Sequence, residues 1–378
     1  MDLTLNTALE GVGPSGIRSF TAMARATPGA VMLTIGEPDL NTPEPVKAAA
    51  RLALDRNDTH YPENNGRPEL RRAIAAFEAE RSGLHYSPEE IIVTVGATEA
   101  LFTALFTILN PGDEVIIPTP AFSLYESITR LCRGVPVALP TEETDFQIDP
   151  AALAAALTPR TKALILTSPN NPTGCVYSRR TLEGIHAVLR DRPVFVVCDE
   201  VYRQLIYTDD YVSFSSYADM RDRILVAQSY SKPYAMTGWR LGYLMADAPV
   251  RERARFVHQF AVVSVPSFVQ DACIEALRCD ISADVALFRR RRDYVYGRLT
   301  AMGLAARKPD GAFYIFVDIR RYGMDSLTFC TRLLKEGLVA LVPGCYFGTE
   351  GYARLSYCCG DDTLREALDR MERFLAAL

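Results

Sequence analysis

The sequence predicts an α/β protein, with a mostly parallel, doubly wound sheet and a smaller α+β unit beside it. Three observations lead there. From about residue 91 to 245, apolar runs of strand length alternate with helical stretches, as in βαβ units. After about residue 280 this gives way to a long basic helix followed by strands and a further helix. The length, 378 residues, exceeds what one hydrophobic core usually organises, so two domains are expected.

Composition narrows the class. Hydrophobic residues make up 48% and charged residues 23%, ordinary for a globular chain. A net charge of −5 argues against nucleic-acid partners, which favour a basic excess. No apolar run reaches the roughly 20 residues of a bilayer span, so no membrane partner is expected. The opening MDLTLNTALE lacks the basic and apolar regions of a secretory signal, and the expected location is cytoplasmic. Nine cysteines without CxxC pairs fit reduced thiols better than a disulfide framework. The four histidines lack metal-binding spacing, so no metal site is expected.

In chain order, GVGPSG at 11–16 matches GxGxxG, but polar flanks and Pro14 deny it the strand–turn–helix setting of a dinucleotide fingerprint. It reads as a loop. Residues 31–35 form a short apolar strand that ends in the turn Gly36-Glu37-Pro38-Asp39. Residues 44–56 and 67–81 read as amphipathic helices, separated by the turn-rich Tyr61-Pro62-Glu63-Asn64-Asn65-Gly66. Strand 91–95 leads into Gly96-Ala97-Thr98, where small residues open a helix and expose its first N–H groups. That is a natural phosphate seat, although Thr98 as a plain N-cap is the simpler alternative. Strands follow at 114–117, before Phe122, and at 163–166, before the turn formers Ser168-Pro-Asn-Asn-Pro-Thr-Gly174. Strand 194–197 leads into Asp199, and an aspartate at the end of an apolar strand is costly unless it is paired or caps a helix. Residues 283–302 read as a basic helix whose RRRR run is a solvated face. Strand 311–317, a helix near 326–337 and a strand around Arg354 complete the chain.

The stretch SYSKPYAMTGWRLG, residues 229–242, follows the buried strand 224–227. It sets Lys232 between Ser229, Ser231, a Thr-Gly-Trp turn and Arg240. A lysine at a buried strand end forms Schiff bases with carbonyls, and the hydroxyls and arginine around it suit a carbonyl compound that also carries phosphate. Together with the GEPD turn, NNPTG at 170–174 and ARLSY at 353–357, this pattern resembles the class I/II aminotransferases, pyridoxal-phosphate (PLP) enzymes of fold type I, over nearly the whole chain. The resemblance implies a large PLP-binding domain at 46–280 and a small domain built from 1–45 and 281–378. It implies that Lys232 carries PLP as a Schiff base and then acts as general base, in a ping-pong transfer from an L-amino acid to a 2-oxo acid such as 2-oxoglutarate. It further implies that Asp199 meets the pyridine nitrogen, that Asn171 and Tyr202 share the phenolic oxygen, and that Phe122 stacks on the ring. Ser229, Arg240 and the Gly96-Ala97-Thr98 turn would hold the phosphate, with Tyr61 of a neighbouring subunit, so a homodimer with shared sites is implied. Gly36, Asn171 and Arg354 would hold the substrate carboxylate. The segment after GVGPSG would run along the mouth of the site.

Aspartate, aromatic and broad donors all stay open at this level. So does a PLP-dependent C–S β-lyase, which would share the same residues. A PLP-binding transcriptional regulator needs a basic helix-turn-helix extension ahead of the core. A nicotinamide dehydrogenase rests on GVGPSG alone.

Overall fold

The computed structural model describes residue 3 and residues 5–378. Thirteen strands are present among them: β1 (Val31–Met32), β2 (Ile91–Thr94), β3 (Glu114–Thr119), β4 (Val135–Pro140), β5 (Thr161–Thr167), β6 (Phe195–Asp199), β7 (Ile224–Ser229), β8 (Gly242–Ala246), β9 (Ala305–Ala306), β10 (Tyr314–Asp318), β11 (Val339–Ala340), β12 (Val342–Pro343) and β13 (Tyr352–Ser356). Seven form one sheet in the order β2-β8-β7-β6-β5-β3-β4. Strand β8 runs antiparallel to both its neighbours, and the other pairings are parallel. This is the expected doubly wound α/β sheet. Strands β7 and β8 are buried at every residue and β6 at all but its first, Phe195, as a sheet covered on both faces requires.

The sequence reading missed β4. It is the edge strand, it carries Pro136 and Pro140, and it is half exposed. An edge strand tolerates proline because one side of its backbone has no ladder to complete.

The amphipathic helices lie where periodicity predicts: α1 (Gly16–Arg25), α2 (Glu44–Asp55) and α3 (Pro68–Ser82). Segment 11–15 is a loop whose Ser15 caps α1. Strand β2 feeds α4 (Gly96–Ile108), and β3 feeds α5 (Leu124–Leu131).

A four-stranded antiparallel sheet, β12-β13-β10-β9, gathers the C-terminal third, and β1 pairs in parallel with β11. Helices Ser326–Glu336 and Asp361–Ala376 pack here around Phe313, Phe329, Leu355 and Leu368. The basic helix spans Ser282–Ala301, and only half of its arginine run is a solvated face: Arg289 and Arg290 are exposed. Arg291 and Arg292 are buried. Arg291 binds both carboxylate oxygens of Asp39 (2.7 and 3.0 Å) and one of Asp361 (2.8 Å). Arg292 donates to the Pro309 carbonyl and to Asp293. The run therefore clamps the Gly36–Asp39 turn to the C-terminal part of the chain. Among the described residues, no helix is long and apolar enough to cross a membrane.

Candidate active site

Because β2, β3, β5, β6 and β7 point the same way, their carboxyl ends share one edge. Ligands bind at that edge in open α/β sheets. A cavity of about 910 Å³ lies there, closed by α1, the Gly36 turn and residues of β10 and β13. It is lined by Gly36, Ala97, Thr98, Phe122, Asn171, Asp199, Tyr202, Ser229, Lys232, Arg240 and Arg354. Gly96 sits against the Arg240 guanidinium, since a Cβ on it would lie 3.0 Å from Arg240 Nη2. Of the expected site residues, Gly96 and Tyr61 do not line the cavity, and Tyr61 is 88% exposed.

Helix α4 begins in the cavity without a side-chain cap. Val95 holds the N-cap position, so Thr98 is not the cap. The first N–H groups of α4 therefore lack side-chain partners, and Arg240 and the buried Ser229 stand beside them. Gly242 makes this packing possible, because a Cβ there would come within 2.9 Å of the Ala97 nitrogen. Uncapped N–H groups, a helix dipole and a guanidinium form a seat for a phosphate.

Asp199 ends β6 at the cavity floor, 5% exposed. Its carboxylate accepts from Tyr125 Oη (2.7 Å) and from the Val201 N–H (3.3 Å). Tyr125 in turn accepts from Thr167 Oγ1 (2.8 Å). Burial pushes the Asp199 carboxyl up to about 6, against the pull of the Tyr125 and Val201 hydrogen bonds. A buried carboxylate facing a cavity in this state suits a cationic ring nitrogen. Tyr125 escaped the sequence reading. Its signal was weak, a single tyrosine in an otherwise ordinary amphipathic helix.

Lys232 Nζ donates to the Gly36 carbonyl (2.7 Å). Burial brings its amine down to about 8, with Arg354 and Arg240 adding to the effect and Cys358 and Glu37 opposing it. At that value a substantial neutral, nucleophilic fraction exists near neutral pH.

The two asparagines of NNPTG divide the work. Asn170 shapes the turn, accepting from the N–H and hydroxyl of Thr173. Asn171 receives Arg354 Nη1 on its Oδ1 (2.9 Å), which leaves its NH2 group for the cavity. Arg354 Nη2 donates to the Thr34 carbonyl (2.6 Å), while Nε is buried without a partner. An orphaned guanidinium N–H beside a cavity is a carboxylate receptor in waiting. Tyr202 Oη meets Tyr314 Oη at 2.8 Å. Tyr314 was also missed from the sequence, although a tyrosine inside a buried apolar strand does demand a polar partner.

These groups fit pyridoxal phosphate: a phosphate seat, a carboxylate for the ring nitrogen, Tyr202 and Asn171 for the phenolic oxygen, and an amine for the aldehyde. Comparisons with known proteins support the cofactor. The family model for aminotransferase class I and II matches residues 28–371. A probable N-acetyl-LL-diaminopimelate aminotransferase of Bacillus subtilis is 42% identical, across 99% of this chain and 96% of its own length. Aromatic-amino-acid aminotransferase 2 of Thermococcus litoralis is 39% identical, across 99% and 98%. The solved structure of the Thermus thermophilus aspartate aminotransferase with maleate superposes at a TM-score of 0.94, with 38% identity and coverage of 99% and 100%.

Proposed function

The chain belongs to the class I and II aminotransferases and is a PLP-dependent enzyme that transfers amino groups; from that premise we propose that its donors are dicarboxylic amino acids and its acceptor a dicarboxylic 2-oxo acid such as 2-oxoglutarate. One observation carries this reading. Five cationic side chains line the cavity, Arg18, Arg25, Lys232, Arg240 and Arg354, against two carboxylates, Glu37 and Asp199. Arg18 and Arg25 lie seven residues apart on α1, on one helical face with Thr21 between them. Neither has an ion-pair partner among the described residues. The phosphate and the α-carboxylate account for Arg240 and Arg354, so the α1 arginines remain for a second carboxylate. The relatives named for aspartate and for N-acetyl-LL-diaminopimelate fit that choice, and the aromatic relative marks the competing one.

Pyridoxal phosphate, when bound, supplies the electron sink that makes the substrate Cα proton acidic. Lys232 would hold the cofactor through its amine, and its free Nζ would serve as the base for the Cα proton. Asp199 would keep a proton on the ring nitrogen. Tyr202 and the Asn171 NH2 would donate to the phenolic oxygen, and Phe122 would lie against the ring. Ser229, Arg240 and the N–H groups of Gly96, Ala97 and Thr98 would hold the phosphate. Arg354, Asn171 and the Gly36 N–H orient the α-carboxylate. Amino transfer in two half-reactions follows, and its kinetics are ping-pong.

The reading extends to assembly. Residues 46–280 form the large domain, and 1–45 with 281–378 the small one; all strands of the large sheet fall within the first range and both smaller sheets within the second. A homodimer brings Tyr61 of the partner subunit to the phosphate, which would explain a tyrosine left 88% exposed.

A donor panel tests the substrate claim. Aspartate and glutamate are expected to give higher kcat/KM than phenylalanine and tyrosine. In Arg18→Ala/Arg25→Ala the KM for dicarboxylic donors should rise roughly 10- to 100-fold, the worth of a charged hydrogen bond, with aromatic donors little changed. Aromatic preference in the wild type, or an equal loss for both classes in the variant, would refute it.

A further inference from the structure

Tyr314 has a position that the chemistry above does not use. It lies on β10, is 2% exposed, and reaches the cavity floor. Its hydroxyl lies 2.8 Å from the Tyr202 hydroxyl. Its ring carries the Arg354 guanidinium, 4.5 Å from the centroid. Its oxygen also fills the space beside Gly36, since a Cβ on Gly36 would come within 1.9 Å of it. One side chain thus touches the carboxylate clamp, the Gly36 turn and the tyrosine assigned to the cofactor. We infer that Tyr314 is a positioning residue which couples the Arg354 carboxylate clamp to the Tyr202 hydroxyl, and thereby sets the strength of the hydrogen bond that Tyr202 gives to the cofactor's phenolic oxygen; this rests on the cofactor reading proposed above.

The direction of the pair follows from the role of Tyr202. Two phenols in contact leave one proton between them. If Tyr202 gives its own proton to the cofactor's phenolic oxygen, as proposed above, the 2.8 Å contact takes the Tyr314 proton. Tyr314 is then the donor to the Tyr202 oxygen. That leaves the Tyr202 proton free to point into the cavity, and polarisation along the chain makes it the stronger donor there. The guanidinium on the Tyr314 ring face adds to the effect. When a substrate carboxylate neutralises Arg354, that contribution weakens. The filling of one subsite is thus felt at the other through this ring, beside the direct contact of Arg354 with Asn171.

The test uses the holoenzyme and the pH titration of its visible absorption, which is independent of turnover. A weaker hydrogen bond to the phenolic oxygen leaves more charge on it and holds the chromophore's proton to higher pH. In Tyr314→Phe, which keeps the ring under Arg354, the spectral midpoint should rise by roughly half a unit. In a Tyr202→Phe background the same change should add nothing, because the link is already cut. Saturating succinate, a carboxylate without a reactive amine, should raise the wild-type midpoint, and by less than half as much in Tyr314→Phe. An unchanged midpoint in Tyr314→Phe, or a shift that persists in the Tyr202→Phe background, overturns the inference. So does a wild-type midpoint that ignores succinate, a result that needs no variant to fold. No visible band in wild-type protein incubated with pyridoxal phosphate would instead remove the cofactor reading, and the inference with it.

Discussion

Asp199 shows how a site residue can work against the stability of its own fold. Its carboxyl has a pKa of about 6 in the folded chain against 3.8 in a free chain. Between those values the folded state holds the proton more tightly, so stability falls as pH rises through the window. Above about pH 6 the full penalty remains, on the order of 3 kcal/mol. A cationic ring nitrogen relieves it. Asp199→Asn should therefore raise the melting temperature of the cofactor-free protein at pH 7 by a few degrees. The gain should vanish by about pH 4, and the holoenzyme should lose nearly all activity. Differential scanning fluorimetry at the two pH values checks this, and a lower melting temperature at pH 7 would count against it. Lys232 has the complementary role. Lys232→Ala should abolish turnover and leave the fold intact by circular dichroism, because the lost amine makes one hydrogen bond, to Gly36.

At the scale of elements, the loop after β6 is held by buried charge. Arg203 Nη2 reaches both oxygens of Glu78 on α3 (2.5 and 2.6 Å), and Nη1 reaches Glu200 (2.6 Å). Tyr243 on β8 donates to Glu78 (2.5 Å), and Ser213 and Ser215 donate to Glu200. All three charged side chains are nearly inaccessible. The cluster fixes the segment on which Asp199 and Tyr202 sit. Arg203→Met strands two buried carboxylates, and chemical denaturation should show a loss of about 3–5 kcal/mol. None of this was legible beforehand. Glu78, Arg203 and Tyr243 are far apart in sequence, and each on its own reads as an ordinary helix or strand residue. The same holds for Arg291, whose run looked like a solvated face until Asp39 and Asp361 came to meet it. What the chain does show locally is strand-end chemistry. Asp199, Asn171, Lys232 and the Gly96 turn each follow an apolar strand, and a parallel sheet gathers such ends by its topology. Tyr125 and Tyr314 stayed hidden because they come from a helix and an antiparallel strand that this rule does not cover.

For the whole molecule, the proposed homodimer would give several exposed residues a partner. Tyr61, Phe260 and Val263 are 88%, 83% and 47% exposed, and Asn64 Nδ2 donates to the Val263 carbonyl (2.6 Å), tying the Tyr61 loop to the end of the helix Ala248–Ala261 that bears Phe260. Buried His258 bridges that region to α4. It contacts the Asn64 carbonyl (2.7 Å) and the Glu99 carboxylate (2.6 Å). Sedimentation equilibrium should therefore give a dimer, and Tyr61→Phe should weaken cofactor binding about tenfold without dissociating it. The most direct measurement is the visible spectrum of the purified holoenzyme mixed with single amino acids and no acceptor. Aspartate and glutamate should bleach the yellow band in one turnover, with release of the matching 2-oxo acid. A band that persists while pyruvate and ammonia accumulate would show a lyase instead, and contradict amino transfer as the reaction of this site.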